Sequence, residues 1–376
     1  MIAHFVTVHP RDDSRILSKE VATLARSLDE EVRLYVQDGL GDEFSTAYNC
    51  RIVDTGPRLK RIPRMTLGAW RMIRALLRDR PRVAHFHDPE LLPWALLLRL
   101  RGIKVVYDVH EDVPRQVTRN PTLPGWAKVI LPPLVSFTEW FAALFLNGIV
   151  TTAPAVTARF PRAKTVEVRN FPLLNELHKP NPTPMRDRPV EFAYVGSISE
   201  DRNIYGMIRA VAQLRHPTAR FRLAGTFAVP EVHRRAEAMP EWSSVVRFEG
   251  WTNREGLADI LADARAGLVI LKPVEHEMHT LPIKLFEYMA AGIPVISSDF
   301  PLWRSFVDDA QCGLLVDPMN LNAVVEAMRW IIDHPDEAEA MGKRGRQAMV
   351  DRYCWNTEAE TLLTFYRDQL GVSSAA

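Results

Sequence analysis

Cysteine is scarce in this chain, and its scarcity excludes two kinds of architecture. The 376 residues include three cysteines, Cys50, Cys312 and Cys354, which lie far apart in the sequence. An odd, widely spaced set supports neither a disulfide framework nor a cysteine-rich zinc site. It is typical of a protein from a reducing cytosol.

We also expect neither a leader nor a membrane-spanning apolar segment. Residues 1–15 carry no basic segment followed by an apolar one, so we expect no signal peptide. The longest uncharged run covers residues 140–158 and is interrupted by Asn147-Gly148. We interpret it as a helix end, a turn and a strand at 149–152, not as a membrane span. These features predict a cytoplasmic protein, and they leave open peripheral attachment to the inner face of the plasma membrane.

What is present fits a globular protein of two domains with opposite charge. Hydrophobic residues make up 47% and charged residues 25%, and the length exceeds that of one ordinary core. The formal charge of +1 is the sum of +7 in residues 1–180 and −6 in residues 181–376. The basic first half favours an anionic surface. Its basic residues lack interleaved stacking aromatics, so we expect no nucleic-acid partner.

Strand-like and helix-like segments alternate along the whole chain. In the first half, strands are predicted at 3–8, 31–36, 83–87, 104–109 and 149–152, with helices at 16–28, 67–78, 91–101 and 127–146. After a proline-rich stretch, strands are predicted at 190–195, 220–224, 245–248, 266–271, 294–297 and 313–316, with a long helix at 321–333. Such alternation predicts parallel sheets covered on both faces.

The predicted fold class is therefore α/β, with two Rossmann-like, doubly wound domains that face a central cleft. Residues 1–170 form the first domain and 171–189 the linker, which is rich in proline and polar residues. Residues 190–356 form the second domain. A final helix in 357–376 follows the second sheet and is expected to pack back on the first domain.

The segment LPIKLFEYMAAGIPVISSD, which starts at Leu281, carries the most chemical information. Pro282 suits the first turn of a helix, and the amides of Ile283 and Lys284 would then be free at its N-terminus. Free amides and the helix dipole make a site for an anion such as a diphosphate. Gly292 and Pro294 end the helix before the next strand.

These residues resemble glycosyltransferase family 4, a family of retaining enzymes with the GT-B fold. The resemblance covers nearly the whole chain. It is carried by EYMAAGIPVIS together with FAYVGS at 192–197, residues 223–225, FEGW at 248–251, CGLLVDP at 312–318, HFHDPELL at 85–92 and YDVHED at 107–112. It implies a nucleotide-sugar donor, most simply of UDP or GDP, as a substrate, and it implies no cofactor and no bound metal.

The resemblance also implies which residues bind the donor. Glu287 matches the glutamate that binds the ribose hydroxyls, a role that a two-oxygen acceptor can fill. The other donor-binding candidates are Gly196, Ser197, Gly225, Trp251, His279, Leu281 and Ile283. His279 stands where the family usually has a first glutamate. We interpret this difference as the mark of a subgroup that has the sequence LP-x-K-L-F-E-Y. An imidazole does not reproduce the acceptor pattern of a carboxylate.

Catalytic candidates come from both halves. Arg202 and Lys284 are expected to stabilise the charge that develops on the leaving diphosphate. His110 matches a family histidine near the donor sugar. The acceptor-side candidates are Asp13, Arg15, Asp88 and Glu111, with capping an equal alternative for the loop of Asp13 and Arg15.

Two segments are predicted to approach an anionic membrane. Residues 58–82 hold nine basic residues interleaved with apolar ones. Residues 125–146 could add an apolar patch made of Trp126, Val129, Ile130, Leu131, Leu134 and Phe137. A solvated helix face is an equal interpretation of both. The predicted function is thus transfer of a sugar to a glycan or lipid-linked acceptor in cell-surface polysaccharide or glycoconjugate synthesis. A GT-B nucleotide-sugar epimerase and a non-catalytic nucleotide-sugar-binding scaffold are the alternatives.

Overall fold

A computed structural model describes residues 1–110, 112–119, 123–278 and 280–373. It divides into two units, Met1–Asn170 with Thr357–Ala376, and Phe171–Asn356. The segment expected as a linker is grouped with the second unit, where Phe171, Leu177 and Met185 are buried in its core.

The first unit contains an eight-stranded sheet in the order β3-β4-β2-β1-β5-β6-β7-β8. All neighbours are parallel except β3, which pairs antiparallel with β4. The strands are β1 (Ile2–Phe5), β2 (Val32–Val36), β3 (Glu43–Ser45), β4 (Cys50–Asp54), β5 (Val83–Phe86), β6 (Lys104–Val109), β7 (Gly148–Thr151) and β8 (Thr165–Glu167). The chain builds outward from β1 to β4 and then returns to β5, so the direction of strand order reverses between β1 and β5.

Helices cover this sheet because its strands are apolar on both faces. They are α1 (Ala22–Ser27), continuous with a π-helical stretch at Ser14–Val21, α2 (Arg61–Pro63), α3 (Ala69–Asp79), which follows a second π-helical stretch at Arg64–Gly68, α4 (Leu92–Leu100), α5 (Val113–Arg119), α6 (Gly125–Ala143) and α7 (Pro154–Thr157). On α3 the core side is formed by Ala69, Met72, Ile73 and Leu76.

The second unit has a six-stranded, all-parallel sheet in the order β11-β10-β9-β12-β13-β14. Its strands are β9 (Glu191–Val195), β10 (Arg220–Ala224), β11 (Val246–Gly250), β12 (Ala266–Val269), β13 (Val295–Ser298) and β14 (Gly313–Val316). Counted within the unit, this is the 3-2-1-4-5-6 order of a Rossmann fold. Here the strand order reverses between β9 and β12.

The helices of the second unit lie on both faces of its sheet. They are α8 (Ile204–Gln213), α9 (Pro230–Glu237), α10 (Trp242–Val245), α11 (Arg254–Asp263), α12 (Glu275–Met278), α13 (Ile283–Ala291), α14 (Pro301–Ala310), α15 (Leu321–Asp333) and α16 (Pro335–Asp351). The last helix, α17 (Trp355–Asp368), continues into the part of the chain grouped with the first unit. There the ring of Phe365 fills the space in front of Gly148, a residue of β7.

All eleven predicted strands are present, and the uncharged run at 140–158 divides into the end of α6 and strand β7, as predicted. Three short strands of the first unit, β3, β4 and β8, were not predicted, and neither was α16. Within the described residues, no helix is both long enough and apolar enough to cross a membrane.

Candidate functional site

Two glycines and a lysine meet at the carboxyl end of β9. Gly196 and Gly225 adopt φ values of +111° and +138°, a region that favours glycine. A β-carbon on Gly225 would lie 1.8 Å from the carbonyl oxygen of Gly196, and one on Gly196 would lie 3.0 Å from Cε of Lys284. The Lys284 ammonium lies 5.4 Å from the ring centre of Tyr194. The structure thus brings together two predicted donor-binding residues, Gly196 and Gly225, and one predicted catalytic residue, Lys284.

Helix α13 holds Lys284 in place at its first turn. The phenol oxygen of Tyr288, one turn farther along, accepts a hydrogen bond from the Val195 amide at 3.2 Å and ties the helix to β9. Pro282 is the residue before the helix, and Gly292 ends it in the left-handed region. One detail of the prediction was wrong: the Ile283 amide is not free, because it donates to the Leu281 carbonyl oxygen at 3.0 Å.

A cavity of about 150 Å³ opens at this helix start. It is lined by Arg202, Val269, Leu271, Thr280, Leu281, Pro282, Ile283, Lys284 and Trp303. Arg202 and Lys284, the two predicted cations, therefore border the same space. The cavity lies where the strand order reverses, which is where open α/β sheets bind ligands.

Glu287 is buried and has a partner that the sequence analysis missed. Its Oε1 accepts a hydrogen bond from Nη1 of Arg254 at 2.6 Å, and Nε of Arg254 lies 3.1 Å from Oε1 of Glu176. Burial alone would lower the pKa of Arg254, but the two carboxylates raise it. Arg254 is the first residue of α11, and only tertiary structure brings it to Glu287.

The remaining donor candidates are less closely gathered. Ser197 is exposed, and its carbonyl oxygen accepts a hydrogen bond from the Tyr194 hydroxyl at 2.7 Å. Trp251 is 76% exposed and does not line the cavity at the start of α13. His279 lies outside the described residues.

A larger cavity of about 550 Å³ is bordered by Glu200 and Asn203 of the β9–α8 connection. Its polar lining is supplied by Glu200, Asn203, Tyr205, Arg209, Arg235 and Lys272. Glu200 lies 3.2 Å from both Arg235 and Lys272. The smaller cavity, which contains the helix start and both predicted cations, stays the candidate anion site.

In the first unit, Asp108 lies at the centre of a buried polar network. Its two oxygens accept hydrogen bonds from Nε and Nη2 of Arg15 at 2.9 and 2.8 Å. Nδ1 of His87 and Nδ1 of His110 each lie 3.0 Å from its Oδ2. Burial would raise the pKa of Asp108, but Arg15 and His110 hold it well below its ordinary value. Asp108 is therefore ionised and acts only as an acceptor.

The structure corrects two of the acceptor-side predictions, those for Arg15 and Asp88, and it shows Asp13 in the capping role that was the stated alternative. The buried guanidinium of Arg15 is engaged by Asp108 and, at 3.0 Å, by Glu20, so Arg15 is not available to an acceptor. Asp13 caps the following helical turn, where its Oδ1 accepts from the amides of Arg15 and Ile16. Asp88 is buried, and it accepts from the amides of Thr7 and Val8 and contacts His9. The fourth candidate, Glu111, lies outside the described residues.

Further histidines lie behind Asp108. Because His4 is in register with His85 and side chains alternate along a strand, the sheet places His4, His85 and His87 on one face. Nδ1 of His4 lies 3.0 Å from Nε2 of His87, and the hydroxyl of Tyr366 lies 2.8 Å from Nδ1 of His85. Burial lowers the pKa of all three histidines.

Two groups here have the spacing of metal ligands, His4 with Glu20, His85 and His87, and His87 with Asp108 and His110. The guanidinium of Arg15 already contacts both carboxylates of these groups. It supplies the positive charge that a metal ion would bring, and it would repel such an ion. Positive charge is therefore already present beside both groups.

Two family models match the chain, one in each half. Residues 17–170 match the model "Glycosyl transferase 4-like domain", and residues 177–348 match the model "Glycosyl transferases group 1". The chain belongs to the glycosyltransferases. The finer subgroup with LP-x-K-L-F-E-Y stays a prediction.

Individual relatives agree with this family. The glycosyltransferase is 22% identical to glycogen synthase of Mycobacterium tuberculosis, over 96% of this chain and 83% of the relative. Its fold is similar to that of sucrose-phosphate synthase from Thermosynechococcus elongatus, with a TM-score of 0.74 at 18% identity over 98% and 99% of the two chains. It is also similar to Anabaena Alr3699/HepE in complex with UDP, with a TM-score of 0.71 at 11% identity over 96% and 98%. These likenesses confirm the predicted GT-B fold.

Proposed function

We propose that this glycosyltransferase moves a hexosyl group from a nucleotide-sugar donor, with retention at the anomeric carbon, to a glycan or lipid-linked acceptor. The observation that carries the donor part is the arrangement at α13. Lys284 and Arg202 border one cavity at a helix N-terminus, and Glu287 follows one turn later in the helix. A diphosphate fits the first feature and a ribose diol the second. Alr3699/HepE, whose fold is similar, is described in complex with UDP.

In the proposed reaction, the bond from the anomeric carbon to the diphosphate breaks and a bond to an acceptor hydroxyl oxygen forms. The acceptor proton leaves with the nucleoside diphosphate or to solvent. Lys284, Arg202 and the helix dipole stabilise the charge that develops on the leaving oxygen. The resemblance implies that His110 lies near the transferring sugar and positions it.

These cations support transfer without a bound metal. Stabilisation of a leaving diphosphate requires positive charge that is already in place, and two cationic side chains border the cavity. The expected result is full activity in the presence of a chelator. Activity that disappears with EDTA and returns with a divalent ion would contradict this part of the proposal.

A ligand screen by thermal shift tests donor binding. We expect stabilisation by UDP or GDP and by their sugars, of about 2.7 kcal/mol at 100 times the dissociation constant. The absence of any shift across UDP, GDP and TDP would overturn the proposal. The same ligands with a product assay separate three functions: a transferase leaves the free nucleotide, an epimerase returns an isomeric nucleotide sugar, and a scaffold binds without turnover.

The first unit carries an apolar surface that supports a lipid-linked acceptor. Helix α6 and the residues after it expose Trp126, Val129, Ile130, Leu134, Phe137, Trp140, Phe141, Leu144 and Phe145. Near α3, Ile62, Met65, Leu67 and Trp70 are exposed among arginines. Exposed aromatics beside basic residues are suited to the interface of an anionic membrane. We propose peripheral binding at the inner face of the plasma membrane.

Vesicle flotation tests this surface. The protein is expected to bind phosphatidylglycerol vesicles in a salt-sensitive way, and phosphatidylcholine vesicles weakly. The double variant Trp126→Ser/Phe137→Ser should lose binding, whereas Leu40→Ser, which changes an exposed leucine elsewhere in the first unit, should not. Equal binding by both variants would exclude α6 as the docking surface.

A further inference from the structure

The two cavities of the second unit are separate spaces, and among the described residues their linings share no member. The segment at the end of β12 alternates between them. Val269 and Leu271 line the smaller cavity, of about 150 Å³. Ile270 and Lys272 line the larger one, of about 550 Å³. Side chains of an extended chain point alternately to its two sides. This segment therefore lies between the two cavities, and a nucleotide at the start of α13 would not occupy the larger one.

The charged lining of the larger cavity is unbalanced. It consists of three cations, Arg209 of α8, Arg235 of α9 and Lys272, and one carboxylate, Glu200. Glu200 lies 3.2 Å from two of these cations, and its side chain is 44% exposed. Ion pairs as exposed as this are weak. The lining thus has an excess of two positive charges and attracts an anion.

The N-terminus of α8 borders the same space. Tyr205 and Gly206 of its first turn line the cavity, and no side chain among the described residues caps this helix. Its N-cap residue, Asn203, directs its side-chain amide to the Pro318 carbonyl oxygen instead, at 3.0 Å. The first amides of a helix and its dipole attract anions. The helix start and the three cations therefore favour the same kind of ligand.

The rest of the lining is apolar. It is formed by Ala238, Met239, Ile270, Pro318, Met319, Leu321 and Val324. A volume of about 550 Å³ lies within the range of small-molecule sites, about 300–1,000 Å³. An inorganic anion would fill only the charged part of this space. The ligand that fits both parts carries an anionic group on an apolar or ring-shaped body.

We propose that the larger cavity binds an organic phosphate monoester, with its phosphate at the start of α8 among Arg209, Arg235 and Lys272 and its organic part against the apolar lining. A phosphate monoester carries roughly −1.5 to −2 charges near neutral pH, which balances the excess of the lining, whereas a carboxylate balances half of it. Arg235 is placed for this role by the ring of Tyr205, whose centre lies 4.9 Å from its guanidinium carbon. The inference does not rest on sugar transfer, because it uses no residue of the smaller cavity.

Isothermal titration of the full chain with phenyl phosphate tests the site, because this probe joins a phosphate to an apolar ring. We expect saturable binding that is tighter than that of inorganic phosphate or of phenol. Met319→Ser, which changes an exposed lining residue, should weaken the binding of phenyl phosphate and leave that of inorganic phosphate unchanged. The absence of saturable binding, equal affinity for inorganic phosphate, or no effect of Met319→Ser would each overturn the proposal.

Charge variants locate the phosphate. Arg235→Ala and Arg209→Ala, both at exposed helix positions, should each raise the Kd of phenyl phosphate by about tenfold or more. The matched control is Arg234→Ala, which removes the neighbouring exposed arginine of α9, a residue outside the cavity lining. It should leave the Kd unchanged, and so should Lys284→Ala in the smaller cavity.

Two outcomes of this series would overturn the inference. Equal losses in Arg234→Ala and Arg235→Ala would show a general attraction to a basic surface. A loss in Lys284→Ala without one in Arg235→Ala would place the phosphate in the smaller cavity. The failure of donor binding or of sugar transfer would leave this test intact, because its probe contains neither a nucleotide nor a sugar.

Discussion

Replacement of Glu287 by glutamine gives the sharpest test of the donor site. Oε1 of Glu287 accepts a hydrogen bond from Nη1 of Arg254 at 2.6 Å, and a ribose diol would donate to Oε2 and to the second lone pair of Oε1. A hydrogen bond to a charged group contributes about 1.5–3 kcal/mol. Loss of one or both ribose contacts is therefore expected to weaken nucleotide binding by roughly 10- to 100-fold, at about 1.4 kcal/mol per tenfold change.

A matched variant separates ribose binding from support of Arg254. Glu176→Gln removes the other carboxylate partner of the same guanidinium and leaves Glu287 in place. Isothermal titration with UDP and with GDP should show a large increase in Kd for Glu287→Gln and at most about threefold for Glu176→Gln. Unchanged affinity in Glu287→Gln, or equal losses in the two variants, would refute the ribose role.

Three further predictions concern stability. Gly225→Ala is expected to lower the free energy of unfolding of the second unit by about 2 kcal/mol more than Gly250→Ala. Both positions have positive φ, but only at Gly225 would an added β-carbon lie 1.8 Å from a backbone oxygen, that of Gly196. Equal losses in urea titration would contradict the clash. Asp13→Ala should cost about 1 kcal/mol through loss of the cap, whereas the exposed neighbour Asp12→Ala should change stability by less than about 0.5 kcal/mol. Burial and the nearby Asp108 raise the pKa of Glu20 well above its ordinary value. The folded protein therefore holds this proton more tightly than the unfolded chain does. The stability that the proton contributes is fully present below about pH 4, and it is lost as pH rises through the pKa of the folded state. Glu20→Gln should gain stability relative to wild type over that rise, and a difference that is constant with pH would show that Glu20 does not titrate there.

Most of the fold could be predicted from the sequence because the strands are buried on both faces and therefore form continuous apolar runs. The missed strands have other patterns. Strand β3 (EFS) is largely exposed and pairs antiparallel at the sheet edge, and β8 (TVE) is only half-buried. Each of these two strands forms because it hydrogen-bonds to its neighbour, β3 to β4 and β8 to β7. Their own residues show no continuous apolar run that would predict a strand. Tertiary context of this kind overrides local propensity.

The site was predictable where its residues lie close together in sequence. Lys284 and Glu287 lie on one helix and follow from the pattern around Pro282 and Gly292. Arg254 lies 33 residues before Glu287, and its own segment carries no sign of that pairing. The roles of Arg15 and Asp88 were wrong for a related reason: a charged residue after a strand can turn toward the ligand or into the network beneath it, and spacing alone does not distinguish the two.

The two sheets reverse strand order in the same way, yet the ends of their central strands carry opposite chemistry. At the carboxyl end of β9 lie the backbone of Gly196 and the side chain of Lys284. This arrangement attracts an anion, and the neighbouring cavity leaves room for it. After β1 and β5 come Thr7, Val8 and Asp88, whose carboxylate already binds the amides that would otherwise receive an anion. A diphosphate would have to displace that buried carboxylate in the first unit, whereas in the second unit it meets cations that border a cavity. This physical difference between the two strand ends favours the second unit as the place of the leaving nucleotide.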